Sequence, residues 1–291
     1  MKLLAPLDLP SLQSAPASPA EGSLRLYGHS LAGRCLPEWV GGCGLNTIAQ
    51  PLLAQNKVAF WNPPGNSTTV PGVFGMAAPT VVGAAAARNV EVVNLLTRMK
   101  RIGYVSAAAA GSLASWRVAA AQYSLGSGSI GGFTFIARFG VSDAATVSGA
   151  RMFVGMRDVA YQPPNVEPSA IFNCIGVAQL STSGNLHLVY GGSTPQPPID
   201  LGVNFPAGTL SQDAYEIVLF APPTIENTVG YRIERLGTGH VAEGTLTMTT
   251  WPTVELPSAA TLLCPNFFRT NNAAALAVGL DICSVYLETD Y

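Results

Sequence analysis

The sequence predicts an all-β sandwich, and three observations carry that prediction. From about residue 90 onward, short apolar runs rich in β-branched and aromatic residues alternate with Gly, Pro and Asn turn signals. The one helix-compatible stretch, Asn89 to Lys100, is itself rich in β-branched residues and reads as a strand or mixed segment. Gly279 to Tyr291 then alternates as a long strand. Leu280, Ile282, Ser284, Tyr286 and Glu288 fall on one face, and Asp281, Cys283, Val285 and Leu287 on the other. Apolar residues on both faces indicate a strand covered on both sides, one that closes the fold.

Taken in chain order, residues 1–22 form a Pro/Ser/Ala segment punctuated by Pro6, Pro10, Pro16 and Pro19. Proline removes backbone donors and fixes φ, so the segment is expected to be an extended arm that orders against a partner. Residues 23–88 hold short strands, Leu24 to Tyr27 and Lys57 to Trp61, around the glycine-rich Gly41 to Gly44 and the turn Asn62 to Ser67. Such a piece has too little apolar area to stand alone and is expected to pack on its own copies or on a larger domain. Residues 89–291 carry the sandwich. In Gly132 to Phe139, Phe133, Phe135 and Phe139 share a face with Ala137; further strands follow at Ala150 to Met156, Ile171 to Val177, Leu186 to Tyr190, Tyr215 to Phe220, Val229 to Arg235 and Val241 to Met248.

Composition narrows the function. Charged residues are 11% of the 291, well below the roughly 25% of ordinary soluble domains, which points to surface buried against other chains. Mean hydropathy is +0.30, yet no apolar run approaches the roughly 20 residues of a membrane span. The apolar start, Met1 to Leu7, is too short and too soon broken by proline for a secretory leader. Net charge is −2, and the densest basic run, Arg98-Met99-Lys100-Arg101, is expected on a solvated turn, so no phosphate-neutralising face is foreseen. Five scattered cysteines (Cys35, Cys43, Cys174, Cys264, Cys283) and three distant histidines (His29, His187, His240) give no zinc spacing, so neither metal nor other cofactor is expected. Cys174 and Cys283 read as buried hydrophobes; Cys35 and Cys43 could pair, with the reduced state favoured for a cytosolic product.

No Gly-x-Ser-x-Gly elbow, phosphate loop or spaced carboxylate pair marks a catalytic site, and a non-enzyme is expected. His187, between two leucines, reads as a solvent-facing or interface histidine. Loop tips on a β scaffold are the usual place for recognition. The candidates for receptor contact are therefore Tyr161, Gln162 and Asn165 in one loop, Asn271 and Asn272 in another, with Tyr190 and Trp251 as aromatic platforms. For Trp251, packing at the sandwich edge is the competing role.

An ordered series of segments adds a family. It runs from Leu24-Arg25-Leu26-Tyr27 through Gly33-Arg34, Gln50-Pro51-Leu52 and Asn56 to Trp61, then Thr97 to Arg101, Gly131-Gly132-Phe133, and the ending Val285 to Tyr291. Together these resemble the virion fibre proteins of tailed bacteriophages, over roughly residues 23 to 291, without the long repetitive shaft. The resemblance implies a trimeric tail or head fibre: a short N-terminal β piece leading into a lectin-like jelly roll of the concanavalin type. It implies residues 1–22 as the attachment to other virion proteins, host surface glycan as a partner, and the virion as the location. A structural tail, baseplate or capsid decoration protein without receptor, and a glycan depolymerase, are the alternatives.

Overall fold

A computed structural model describes residues 8–20, 22–41, 46–48, 57–63, 67–68, 74–75, 77–158, 165–248 and 255–289. A small sheet comes first: β1 (Ser11–Leu12), β2 (Leu24–Leu31), β3 (Arg34–Gly41) and β4 (Asn46–Ile48), hydrogen-bonded in that order. Then follow β5 (Lys57–Trp61), β6 (Pro79–Val82), β7 (Ala84–Ala87), a one-turn helix α1 (Leu95–Arg98), β8 (Ile102–Val105), β9 (Leu113–Val118), β10 (Phe133–Val141) and β11 (Arg151–Arg157). The chain continues with β12 (Cys174–Gln179), β13 (Leu186–Gly191), β14 (Ile199–Asp200), β15 (Tyr215–Ala221), β16 (Thr228–Arg235), β17 (His240–Thr247), β18 (Cys264–Thr270) and β19 (Gly279–Thr289).

Two antiparallel sheets face each other. One is ordered β17-β16-β15-β10-β19-β8-β7, with β5 also paired to β19; the other runs β14-β13-β12-β11-β18-β9-β6. The expected sandwich is what forms, and it is a jelly roll. Between the sheets, Trp61, Trp116, Phe267 and Phe135 make a chain of ring contacts at 5.3, 5.1 and 6.1 Å, tilted or edge-on as aromatic quadrupoles favour. Phe133, Phe135, Ala137 and Phe139 all point into this core, as their alternation requires.

The closing strand is subtler than period two. A β-bulge opposite Arg138/Phe139 leaves Cys283 without a ladder partner. The bulge reverses the faces, so that Leu280 and Ile282 and then Val285 and Leu287 all enter the core. The apolar residues on both sides of the pattern are thus one inward stripe with a phase slip. Asp281, Tyr286 and Glu288 are left on the outer face.

That outer face is covered by two pieces that the sequence reading placed differently. The segment from Asn89 holds a helical turn, not a strand. Asn94 accepts from the Thr97 N–H at 2.9 Å while Thr97 Oγ1 accepts from the Asn94 N–H at 3.1 Å, a capping box strong enough to overrule β-branched propensity. Leu96 is thereby driven against Ala214 and Cys283. Arg101, foreseen on a solvated turn, is 5% exposed and its Nε donates to Asp281 at 2.9 Å.

The second covering piece is the β2–β3 hairpin. Its tip packs Leu31, Ala32 and Leu36 on Val218, with Ile136 and Phe220 alongside. The approach is so close that a Cβ on Gly230 would stand 1.9 Å from the Ala32 carbonyl oxygen. Gly230→Ala is therefore expected to lift the hairpin tip, costing about 1–3 kcal/mol by overpacking. Hydrogen exchange should speed up in β2 and β3 while the sandwich core stays protected. The proline-rich segment, expected to await a partner, finds one in its own chain: Ser11 and Leu12 pair in parallel with Gly28 and His29, and Arg25 Nη1 donates to the Ala17 carbonyl at 2.8 Å. Strands β5, β6 and β7, grouped by turn signals with residues 23–88, hydrogen-bond into the two large sheets.

Buried thiols add a pH dependence. Cys174, Cys264 and Cys283 are all buried, and burial above all pushes each thiol from its ordinary 9.0 up to about 12. A folded-state value raised above the unfolded one stabilises fully below about pH 9. That contribution is lost as pH rises toward about 12. Denaturation midpoints should thus fall progressively above pH 9, and Ellman's reagent at pH 8 should label exposed Cys35 but none of the three buried thiols until unfolding.

Candidate functional site

The outward positions of β10, β15, β16 and β19 carry an ordered set of charges. Arg138, Glu216 and Glu234 lie opposite one another across β10, β15 and β16. Arg138 Nε donates to Glu216 at 2.6 Å, and Arg232 reaches Glu234 at 2.7 Å, Glu243 at 3.7 Å and Glu216 at 4.0 Å. Glu216 directly opposite Glu234 is a repulsive cross-strand pair, which the Arg232 guanidinium bridges.

The β2–β3 hairpin roofs this charged floor. Its tip is pinned by Arg34, which pairs with Glu288, donates to Thr134 Oγ1 at 2.6 Å and lies 5.5 Å from the Phe220 ring centre. Further along the hairpin, His29 Nδ1 lies 2.5 Å from Glu38 Oε2. Burial, aided by the Glu38 carboxylate, pushes the Tyr27 phenol beside it up to about 12. Between hairpin and sheet remains a cleft of about 320 Å³, bounded by His29 and Glu38 above, the Arg138–Glu216–Arg232–Glu234 floor, and Ser284 and Tyr286 at the side. Burial chiefly, and the hydrogen bond to Glu288, raise the Tyr286 phenol, which stays neutral.

The cleft offers guanidinium donors and carboxylate acceptors beside one aromatic ring. No hydrogen bond joins Ser284 to His29 among the described residues, so His29 is engaged by a carboxylate rather than by a nucleophile. Among the described residues no group of three or more His, Cys, Asp and Glu side chains is placed to hold a metal ion.

The residues singled out from sequence scatter. Asn165 and Asn272 do meet at one end of the sandwich: Asn165 accepts from Thr270 Oγ1 at 2.5 Å and Arg151 Nη1 at 3.2 Å, and donates to the Asn272 carbonyl at 3.4 Å. These bonds brace the loops to each other. Asn271 is fully buried and clasps its loop by donating to the Ala109 and Leu276 carbonyls, each at 2.8 Å. Tyr190 packs against the main core. His187, expected to face solvent or an interface, is 8% exposed with Nδ1 3.1 Å from the Asn185 carbonyl oxygen. Tyr161, Gln162 and Trp251 lie outside the described residues, as does Cys43. Sequence reasoning missed the cleft. Its floor was visible only as charged residues at off-core positions of strands, and nothing local says that a hairpin from residues 24 to 41 will cover them.

No protein-family model matches the chain, and no curated protein matches its sequence. Solved structures do. Peanut lectin superposes with a TM-score of 0.50 at 11% identity, covering 80% of this chain and 97% of that one. The fold is that of the legume lectins. Also similar are lectin UEA-II complexed with galactose (TM-score 0.49, 13% identity, 81% of this chain and 100% of that one) and a protein of unknown function from Shewanella oneidensis MR-1 (0.49, 10%, 84% and 95%). At such identities the likeness is one of fold alone.

Proposed function

We propose that this chain is a non-enzymatic glycan-recognition protein of a bacteriophage particle, with the cleft beneath the β2–β3 hairpin as its sugar pocket. The cleft carries the reading. About 320 Å³ falls in the range of small-ligand sites. A sugar hydroxyl both donates and accepts, so a wall where guanidinium and carboxylate alternate satisfies it in either sense. Tyr286 adds a ring against which a pyranose can lie. The peanut-lectin architecture supports a binding role over a catalytic one.

The virion role rests on the ordered fibre-like segments. The 11% charge supports a homotrimer that buries Ser, Thr, Ala and Gly surface between subunits. Residues 1–22 would attach it to tail or baseplate proteins, and copies on one particle would multiply weak sugar contacts into avidity.

A glycan array probed with the full chain, read beside adsorption of particles lacking it, tests this proposal. Retention of a defined glycan together with lost adsorption is expected. An empty array with normal adsorption would instead leave a structural decoration role. Light scattering should give three chains per particle in solution; a monomer at micromolar concentration contradicts the trimer.

A further inference from the structure

We propose that two exposed phenylalanines, Phe60 and Phe74, extend the cleft into a second sugar subsite, so that its ligand is an oligosaccharide chain. The inference rests on the reading of the cleft as a sugar pocket and specifies how much of a glycan it takes. Ladder register builds the platform. In β5, Ala59 and Trp61 enter the core, so Phe60 between them points outward and is 43% exposed. Its ladder partner on one side is Tyr286 of β19, which already lines the cleft. On the other side Phe60 and Phe74 exchange both backbone hydrogen bonds, at 3.0 and 3.1 Å. Residues directly opposite in an antiparallel ladder share a face, so Phe74, 72% exposed, stands beside Phe60.

Tyr286, Phe60 and Phe74 thus form one row across adjacent chain segments, roughly 10 Å long at about 4.8 Å per strand spacing. Beyond Tyr286 the same row continues through Ile136 and Val218 to Arg232, on the cleft floor. The polar cleft and the aromatic platform are therefore two parts of one line across the sheet. The backbone at Phe74 is held there by a close approach. Gly75 has a φ of +74°, and a Cβ on it would stand 2.0 Å from the Val58 carbonyl oxygen, so only glycine lets the chain press against β5 at this point. Packing between rings does not account for the two phenylalanines: among the described residues neither contacts another aromatic ring.

Adjacent exposed aromatics rimmed by polar residues mark an interaction site, and continuity with the cleft selects the occupant. A glycan carries the same two characters as the row. Its hydroxyl edge suits guanidinium and carboxylate, and the C–H groups of its apolar face meet the negative face of a phenyl ring. A chain anchored at Arg232 and Glu216 lays its next rings over Tyr286, Phe60 and Phe74.

The test is an NMR titration of the full chain with glucose, galactose and N-acetylglucosamine, and with maltotetraose, cellotetraose, β-galactotetraose and chitotetraose. In at least one series the tetrasaccharide should bind at least tenfold tighter than its monosaccharide. Phe74→Leu, alone or combined with Phe60→Leu, keeps apolar bulk and removes the ring. The double variant should lose at least tenfold in affinity for that tetrasaccharide and nothing for the monosaccharide, whereas Phe74→Tyr should keep both. Phe74→Leu alone, at so exposed a position, keeps the fold and should show part of the same selective loss. Equal affinity for the short and long sugars, or an unchanged tetrasaccharide affinity in the double variant, would overturn the platform and leave the cleft as a sugar pocket. No binding of any of these sugars by the unmodified protein would overturn both readings. Light scattering should give Phe74→Leu the same particle mass as the unmodified protein; a smaller particle would make the row a contact between copies and overturn the assignment.

Discussion

Asp281→Ala is expected to lower stability by about 3–5 kcal/mol, the scale for removing one partner from a buried ionic cluster. Asp281 is wholly buried on β19 and accepts from Arg88 Nε at 3.0 Å, Arg101 Nε at 2.9 Å and Ser142 Oγ at 2.5 Å. Its loss strands two guanidinium groups, one of them 5% exposed. The cluster also ties β19 to the segment after β7 and to the loop after β10, so the damage reaches the chain's closing strand. Denaturant titration should show the loss as a lower midpoint. In a double variant with Arg101→Met, the combined cost should fall short of the sum of the two single costs, because one guanidinium is then no longer left unpaired.

The second large effect is on binding. Arg232→Ala should weaken glycan affinity at least tenfold, about 1.4 kcal/mol, while the sandwich core remains folded. Among the described residues, only Arg232 bridges Glu216 and Glu234, which face each other across β15 and β16. Without it the two carboxylates repel and the cleft floor loses its central donor. Calorimetric titration of both proteins with a glycan retained on the array checks this. Unchanged affinity would remove the cleft from the binding account.

The sequence disclosed the architecture better than the site, for a physical reason. Alternation along strands such as Phe133 to Phe139 reports which side of a sheet is buried, and that local signal sufficed for the sandwich. It misled where the ladder slips. The extra residue Cys283 made one inward stripe look like two apolar faces, and only the register with β10 reveals the bulge. At Asn89 to Lys100, read as a strand or mixed segment, two side chains three residues apart, Asn94 and Thr97, decide for a helical turn by satisfying backbone donors.

The candidate site depended on contacts that no local pattern encodes. Arg34 and Glu288 are 254 residues apart in sequence yet pin the hairpin over the sheet. Of the asparagines chosen as loop-tip binders, exposed Asn165 bonds to the Asn272 carbonyl, and Asn271 is buried and clasps its own loop. A buried loop polar group must find a partner, and that requirement selects the same residue types as recognition does.

The most direct test of the account is a crystal structure of the chain bound to a glycan it retains. The sugar is expected between the β2–β3 hairpin and the eight-stranded sheet, within hydrogen-bond distance of Arg232 and Glu216 and alongside Tyr286. A sugar seated instead among the loops around Asn165 and Asn272, with the cleft holding only water, would contradict it.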